Sequence, residues 1–387
     1  MSDRPKLLFL IPHLGGGGAE QVTRLLVENL SPKRYELHLG LVIEAAANSA
    51  AMPAGVSIHA LRAARVRAGT WKILRLVRSL KPDLIVAGMA HLNFAVLILR
   101  PLFPRGTRVL IRQNATASAA LSFGALPWYT CLLYRSLYRH ADLILCQTSA
   151  MARDLAAVLG TRADTLGDRV SLKTSRLITV LPNPVDVERI RTEAGHSDSL
   201  WNGRGPHLLA VGRLSREKGF DLLLRALVTV RLRFPCAELA IVGAGREEAT
   251  LRSLAVELGV SPAVRFAGQA DPSAAFFSGA TAYVLSSRHE GMPNALLEAA
   301  AGGLPIVALP ASQGIVELLE GQPGIWLAAS ISADDLSRTL IAALENINDG
   351  QRFAHAFVDQ FRLEHSIRAF QQLIDSELSV RDARRRL

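Results

Sequence analysis

Two carboxylates, Glu290 and Glu298, stand eight residues apart in the segment Ser286-Ser287-Arg288-His289-Glu290-Gly291-Met292-Pro293-Asn294-Ala295-Leu296-Leu297-Glu298. Pro293 suits the first turn of a helix, where its missing N–H is no loss. That start puts Glu290 on the preceding loop and Glu298 more than a turn inside the helix. Such a pair can hold two parts of one extended ligand, with the amides of Gly291 to Asn294 pointing toward it. The helical sequence is otherwise apolar and small, which predicts a buried Glu298 with a partner rather than a plain surface position.

A second cluster is Val211-Gly212-Arg213-Leu214-Ser215-Arg216-Glu217-Lys218-Gly219. Glycines bracket three cations after an apolar strand pattern. Arg213 and Lys218 can meet one diphosphate there, and a solvated charged loop is the plain alternative. A third is Gly15-Gly16-Gly17-Gly18 between a strand and a helix pattern. Its amides suit an anion, and a ligand-free turn is the alternative. It lacks the Gly-Lys-Ser/Thr ending of a P-loop, so triphosphate hydrolysis is not indicated. Gly243-Ala244-Gly245 has Glu248 where a third glycine belongs, an incomplete dinucleotide fingerprint.

These clusters need strands and helices to carry them. Short apolar runs predict strands at Lys6–Ile11, Leu37–Val42, Leu84–Ala87, Arg108–Ile111, Leu143–Cys146 and Leu177–Leu181. Helical periodicity marks Ala19–Leu30, Trp71–Leu80 and Ala150–Leu159. The second half repeats the scheme, with strands at Leu208–Val211, Ala237–Val242, Val264–Phe266, Ala282–Leu285 and Ile306–Ala308. Helices are predicted there at Gly219–Leu232, Glu247–Leu258, Pro272–Ser278 and Pro293–Ala301. Alternation of this kind calls for parallel sheets with crossover helices. The expected architecture is α/β, two tandem Rossmann-like domains facing across a cleft. A hinge is expected at Pro182-Asn183-Pro184, followed by a polar stretch, Ala194 to Gly205.

The chain has 387 residues, long enough for two domains, and 49% hydrophobic residues, a globular composition. Cys131, Cys146 and Cys236 are scattered and odd in number, with neither zinc nor disulfide spacing, which suits a reducing compartment. No apolar run approaches the ~20 residues of a membrane span. The N-terminal apolar stretch is too short for a signal peptide. Residues 1–183 hold 23 Lys+Arg against 10 Asp+Glu, while the rest of the chain is slightly acidic. A half this basic suits a polyanion: nucleic acid, an anionic membrane or a phosphate-bearing substrate. Arg62 to Lys81 contains seven cations and no acid, interleaved with Val66, Trp71, Ile73, Leu74, Leu76, Val77 and Leu80. It reads either as a membrane-facing amphipathic stretch or as a crossover helix with its apolar face on a sheet. Leu121 to Tyr138 adds Phe123, Trp128, Tyr129, Tyr134 and Tyr138, an interfacial patch or core packing.

The clusters together resemble the retaining glycosyltransferases of family 4, which have the GT-B fold. GGGGAE, LPNPVDVER, VGRLSREKGFD, LAIVGAGRE, VRFAGQ and SSRHEGMPNALLEAAAGGLPIVA carry the resemblance over almost the whole chain, the last being the family's Glu-x7-Glu segment. The resemblance implies an acceptor domain at 1–183 and a nucleotide-sugar domain at 184–362. A helix at 363–387 would return to the first domain and end in a basic tail. It implies that Arg213 and Lys218 bind the donor diphosphate, that Glu298 binds the ribose, and that Glu290 contacts the transferred sugar. Gly212 and the Gly291–Met292–Pro293–Asn294 run lie beside them, and Gly16 and Gly17 approach the donor from the other domain. Glu290, Arg213 and Lys218 are the expected catalytic set. Many relatives carry a His after the strand corresponding to Val109–Ile111; here Arg112-Gln113-Asn114 stands there. Asn114 or Gln113 then substitutes, or His91 or His13 supplies the contact, each His having a structural role as its alternative.

The expected reaction is retaining transfer of a sugar from a nucleotide-diphosphate sugar, a UDP-sugar foremost, in cell-surface polysaccharide or lipopolysaccharide synthesis. The expected acceptor is a glycan or polyprenyl-diphosphate-linked glycan at an anionic membrane surface. Developing charge on the leaving diphosphate would be met by Arg213, Lys218 and the helix amides. No Asp-x-Asp occurs, so metal independence and no cofactor are expected. The expected location is cytoplasmic, peripheral on the inner face of the plasma membrane. A sugar-nucleotide epimerase of the same fold and a non-catalytic nucleotide binder are the alternatives. Nucleic acid is not an expected partner, because the diphosphate loop and the Glu-x7-Glu segment lie in the acidic half and no RNA or DNA motif occurs.

Overall fold

The computed structural model of the protein describes residues 4–15, 17–43, 55–118, 130–160, 164–166, 169–171, 177–193, 201, 204–269, 275–348 and 350–386. The chain divides into two compact units: Met1–Pro184 with Leu363–Leu387, and Val185–Arg362.

The first unit is built on nine strands: β1 (Lys6–Ile11), β2 (Glu36–Ile43), β3 (Val56–Ala63), β4 (Leu84–Gly88), β5 (Arg108–Gln113), β6 (Leu143–Cys146), β7 (Asp164–Leu166), β8 (Arg169–Ser171) and β9 (Leu177–Val180). Their order is β3-β2-β1-β4-β5-β6-β9-β8-β7. All pairings are parallel except the β7–β8 and β8–β9 pairs. The central strands are apolar because both faces are covered. Leu8, Leu10, Ile85, Ala87, Val109 and Ile111 pack under helices Val66–Leu80 and Ala90–Leu99. Leu7, Phe9, Val86, Leu110 and Leu145 pack on the other face, under helix Gly18–Asn29 and the final helix Leu363–Arg386. The final helix contributes Ile367, Phe370, Ile374 and Leu378, the spacing of one helical stripe. Arg108 of β5 anchors it, its buried guanidinium pairing with both Glu377 and Asp142.

The structure decides between alternatives that the sequence left open and adds elements it did not show. The helix expected at Trp71 begins at Val66, and Val66, Ile73, Leu74 and Val77 are core residues, so most of its apolar face meets the sheet. Of the two readings of the 121–138 aromatics, core packing holds for Tyr134 and Tyr138, which are fully buried with their rings edge-on to Phe94. Phe123, Trp128 and Tyr129 lie outside the described residues. Strand β3 and helix Ala90–Leu99 were not anticipated. The strand is half-exposed at the sheet edge, and the helix is apolar on every side, so neither carries a clear period.

The second unit has six parallel strands: β10 (His207–Val211), β11 (Glu238–Val242), β12 (Val264–Gly268), β13 (Ala282–Leu285), β14 (Ile306–Ala308) and β15 (Ile325–Leu327), in the order β12-β11-β10-β13-β14-β15. Apolar clusters fill both faces of this sheet too. The ends of the unit are tied together, Val185 bridging to Arg362 and its N–H donating to Phe361 O at 2.8 Å. Of the expected hinge stretch, residues 194–200, 202 and 203 lie outside the described residues. Among the described residues no helix is long and apolar enough to cross a membrane.

Candidate active site

In an open parallel sheet, ligands collect beyond the strand C-termini at the point where neighbouring strands lead away in opposite directions. In the second unit that point lies between β10 and β13, which pair with each other, while β11 flanks β10 on its far side. The loop after β10 carries Gly212 to Gly219, and the loop after β13 carries Ser286 to Pro293. The sheet order therefore brings the two strongest sequence clusters together.

They are joined by side chain and backbone alike. Lys218 Nζ donates to Glu290 Oε1 at 2.5 Å, and Ser287 Oγ donates to the same oxygen at 2.6 Å. Glu290 Oε2 makes no hydrogen bond with the described residues, so half of this largely buried carboxylate remains available to a ligand. Ser286 Oγ donates to Lys218 O at 2.8 Å, and Arg288 N–H donates to Glu217 O at 2.8 Å. The Arg288 guanidinium clasps Asp221 through two bonds of 2.7 Å. Burial raises the Asp221 pKa, but the Arg288 hydrogen bond and charge outweigh it and hold the carboxyl below its ordinary value. Arg213 is exposed and has no ion-pair partner among the described residues, so its charge is open to an incoming anion.

Gly219 makes the approach of the two loops possible. It has φ +62°, and a Cβ there would stand 2.0 Å from Ser286 O. Gly212 lies under the Lys218 side chain, close enough that a Cβ would touch its methylenes at 3.4 Å. The Gly243–Gly245 turn braces this loop from behind, with Leu214 N–H donating to Ala244 O at 3.0 Å.

The helix carrying the second acid spans Asn294–Ala301. Pro293 is its N-cap, with extended backbone (ψ 118°), and not its first turn as expected. Gly291, Met292 and Pro293 are buried, while Asn294 is half-buried. Glu298 is half-buried rather than buried, because its helix position faces away from the surrounding alanines and leucines. Buried Tyr283 of β13 has its pKa raised, by burial first and then by the charges of both Glu290 and Glu298. His289 is lowered by burial, partly offset by Glu290.

In the first unit the corresponding point lies between β1 and β4. His13 follows β1, and its Nδ1 accepts from Gly15 N–H at 3.0 Å. Gly17 is the N-cap of helix Gly18–Asn29, and a Cβ there would stand 2.3 Å from Glu20 Oε2. Gly16 lies outside the described residues. Glu20 is buried and its Oε2 has no hydrogen-bond partner among the described residues; His13 Nδ1 is 3.9 Å from its Oε1. His91 is solvent-accessible, yet its packed surroundings lower its pKa, with the charge of Glu20 partly opposing the shift. It follows Met89, whose φ of +76° is unusual for a side-chain-bearing residue. Asn114 is half-buried and accepts from Gln147 Nε2 at 3.4 Å. Gln113 faces the core instead, bonded to Tyr134 and Tyr138, so it serves packing.

Sequence reasoning missed Ser287, Arg112, Asn183, Gln147 and Glu20. Ser287 was signalled by its place three residues before Glu290, and Glu20 by its place three residues after Gly17 in the helix first turn; Arg112, Asn183 and Gln147 depend on strands meeting from distant parts of the chain.

A family model described as Glycosyl transferases group 1 matches residues 205–346, and one described as Glycosyl transferase 4-like domain matches residues 17–166. A lipopolysaccharide core biosynthesis glycosyltransferase of Rhizobium meliloti is 28% identical over 253 residues, 62% of this chain and 66% of its own. An N-acetylgalactosamine-N,N'-diacetylbacillosaminyl-diphospho-undecaprenol 4-alpha-N-acetylgalactosaminyltransferase of Campylobacter jejuni is 27% identical over 327 residues, 81% of this chain and 83% of its own. The matched stretch spans between 39% and 66% of the length of the first three curated relatives. Anabaena HepE, solved with UDP and glucose, has the same fold, with a TM-score of 0.77 at 19% identity over 96% of this chain and 100% of that one. With one glycosyltransferase model on each half, together spanning more than half of the residues, the chain belongs to the family 4 glycosyltransferases of the GT-B fold.

Proposed function

We propose that the protein transfers a sugar from a nucleotide-diphosphate sugar, a UDP-sugar, to a glycan or lipid-linked glycan in cell-surface polysaccharide or lipopolysaccharide synthesis. The observation that carries this reading is the Lys218–Glu290 pair, held at the β10/β13 strand ends with one carboxylate oxygen unused and the Arg213 charge beside it in sequence. Lys218 and Arg213 receive the diphosphate, and the unused Glu290 oxygen accepts from hydroxyls of the sugar. Glu298 takes the ribose hydroxyls. The bond from the anomeric carbon to phosphate breaks, and a bond to the acceptor oxygen forms on the same face. The acceptor's proton passes to the leaving phosphate oxygen, whose growing charge the two cations stabilise. No metal ion is required on this reading, since Arg213 and Lys218 supply the neutralising charge.

Support for a UDP donor comes from HepE, solved with UDP, and support for the acceptor class from the relatives' names. A membrane-surface acceptor fits one exposed region of the first unit. Trp71 is 69% exposed beside Arg67, Arg75 and Arg78, with Ile98 and Leu102 also exposed. Arg78 Nε donates to Leu102 O at 3.2 Å, linking the basic helix to that apolar edge. Such a surface suits a peripheral position on an anionic leaflet.

The test is thermal unfolding with UDP, GDP and ADP in separate samples. A ligand at a hundredfold excess over its Kd stabilises by ~2.7 kcal/mol, a shift of several degrees. A shift with UDP that persists in EDTA and disappears in Arg213→Ala and Lys218→Ala is expected. No shift with any nucleotide in folded protein refutes the donor site, and proton NMR of the product's anomeric signal tests retention.

A further inference from the structure

Two buried arginines of β5 have opposite surroundings. Arg108, at the start of the strand, meets two carboxylates, Glu377 and Asp142. Arg112, at its end, is 3% exposed, and no carboxylate lies within ion-pair distance of it among the described residues. Its Nη2 donates to Asn183 Oδ1 at 3.0 Å, and its backbone carbonyl accepts from Asn93 Nδ2 at 2.9 Å. Burial pushes its pKa down to about 10, with no acid opposing the shift, and the guanidinium remains charged at neutral pH. Removing a charge from water without a counter-ion is strongly unfavourable, and neutral amides orient the group without neutralising it. Arg108 shows that the same strand can pair its charge when the role is structural.

The surroundings of Arg112 suit a ligand. Alternation along the strands puts Arg112 with Leu110, Gln147 with Leu145, and Asn183 with Leu181, all on the face covered by the final helix. Gly88, opposite Arg112 in the β4–β5 register, adds no side chain there. Gln147 is 6% exposed, and its buried Oε1 has no hydrogen-bond partner among the described residues. A buried guanidinium seated by a neutral amide, with the Gln147 amide oxygen on the same strand face, matches an anion. The positive excess of residues 1–183 favours a phosphoryl group over the less charged carboxylate.

We infer that Arg112, seated by Asn183 and sharing a strand face with Gln147, receives a phosphoryl group of the sugar acceptor. This rests on the glycosyltransferase reading above, which assigns the donor diphosphate to Arg213 and Lys218 in the other unit. An acceptor bearing a phosphate or diphosphate ester is thereby distinguished from a neutral one.

The experiment uses the full chain carrying Arg213→Ala and Lys218→Ala, which removes the donor cations. Titration calorimetry with geranyl diphosphate reads the site, and inorganic pyrophosphate tells a free phosphate from an ester. Saturable binding of geranyl diphosphate, weakened about tenfold or more by adding Arg112→Met and less by Arg112→Lys, is expected. The ligand-free Tm of Arg112→Met should equal or exceed that of its parent, since an unpaired buried charge has been removed. A lower Tm with unchanged affinity overturns the inference and makes Arg112 a structural residue. Pyrophosphate binding as tightly as the ester would also overturn the assignment to an acceptor. If geranyl diphosphate fails to bind while UDP still shifts the wild-type Tm, only this inference falls. If UDP gives no shift while geranyl diphosphate binds through Arg112, the donor reading falls instead.

Discussion

Replacing Gly219 by alanine separates two costs that usually arrive together. The first is conformational: φ is +62°, a region where a Cβ costs roughly 1–2 kcal/mol. The second is steric. The new Cβ would lie 2.0 Å from Ser286 O, a backbone atom that cannot swing aside as a side-chain tip can. Overpacking of that kind costs about 1–3 kcal/mol, so the total is about 2–5 kcal/mol. For a unit of this size each kcal/mol lowers Tm by about 2–4 °C. Gly259 is the control, with φ +70° and nothing within 4 Å of a built Cβ. Gly259→Ala should therefore show the conformational cost alone. Because Ser286 Oγ holds Lys218 O and Ser287 holds Glu290, moving Ser286 also displaces the candidate donor site. UDP affinity should fall about tenfold or more in Gly219→Ala and stay unchanged in Gly259→Ala. Differential scanning fluorimetry and calorimetry of both variants make the comparison. Equal Tm losses for the two glycines would refute the close-approach argument. An undiminished UDP affinity in Gly219→Ala would refute its link to the site.

Glu290→Gln should keep the UDP-induced Tm shift while lowering kcat, and near-normal turnover in Glu290→Ala, read by UDP release, counts against a sugar contact. Glu377→Ala should cost about 3 kcal/mol, the low end for breaking a buried pair because Asp142 still meets Arg108; chemical denaturation measures it, and a loss below about 1 kcal/mol contradicts the anchoring role. His59, His91, His289 and His355 all have pKa values lowered by burial, so the unfolded chain binds protons more readily than the folded one. Their contribution is complete above the unfolded value of about 6.5 and is lost as pH falls through it toward the folded values. Tm recorded from pH 7.5 to 5.5 should fall, and His355→Gln should flatten the slope; an unchanged slope removes His355 from that account.

Much of the scaffold is readable from local pattern, because strands buried on both faces leave unbroken apolar runs such as Lys6–Ile11 and Leu143–Cys146. Strand β3 escaped because an exposed edge needs no such run, and helix Ala90–Leu99 because apolar residues on every side, exposed Ile98 included, erase its period. The site residues divide the same way. Lys218, Glu290 and Glu298 sit in segments whose glycines and proline announce a loop-to-helix turn. Pro293 was placed one position too far inside the helix, since its fixed φ suits an N-cap as well as a first turn. Arg112 and Asn183 are 71 positions apart in sequence and meet only because β9 returns beside β6, which lies next to β5. Nothing local in either segment could reveal that meeting.

The final helix, Leu363–Arg386, completes the sheet of the first unit, although the whole second unit separates it from that sheet in the chain. During synthesis the face bearing Leu7, Phe9, Val86 and Leu110 emerges long before Phe370 and Ile374 are made to cover it. The second unit, whose ends meet at Val185 and Arg362, has all its residues available sooner and can close first. The part made first is thus the part finished last. A ribosome stalled anywhere before residue 363 would present an apolar sheet face to solvent, a natural target for holdase chaperones and a source of aggregation in truncated chains.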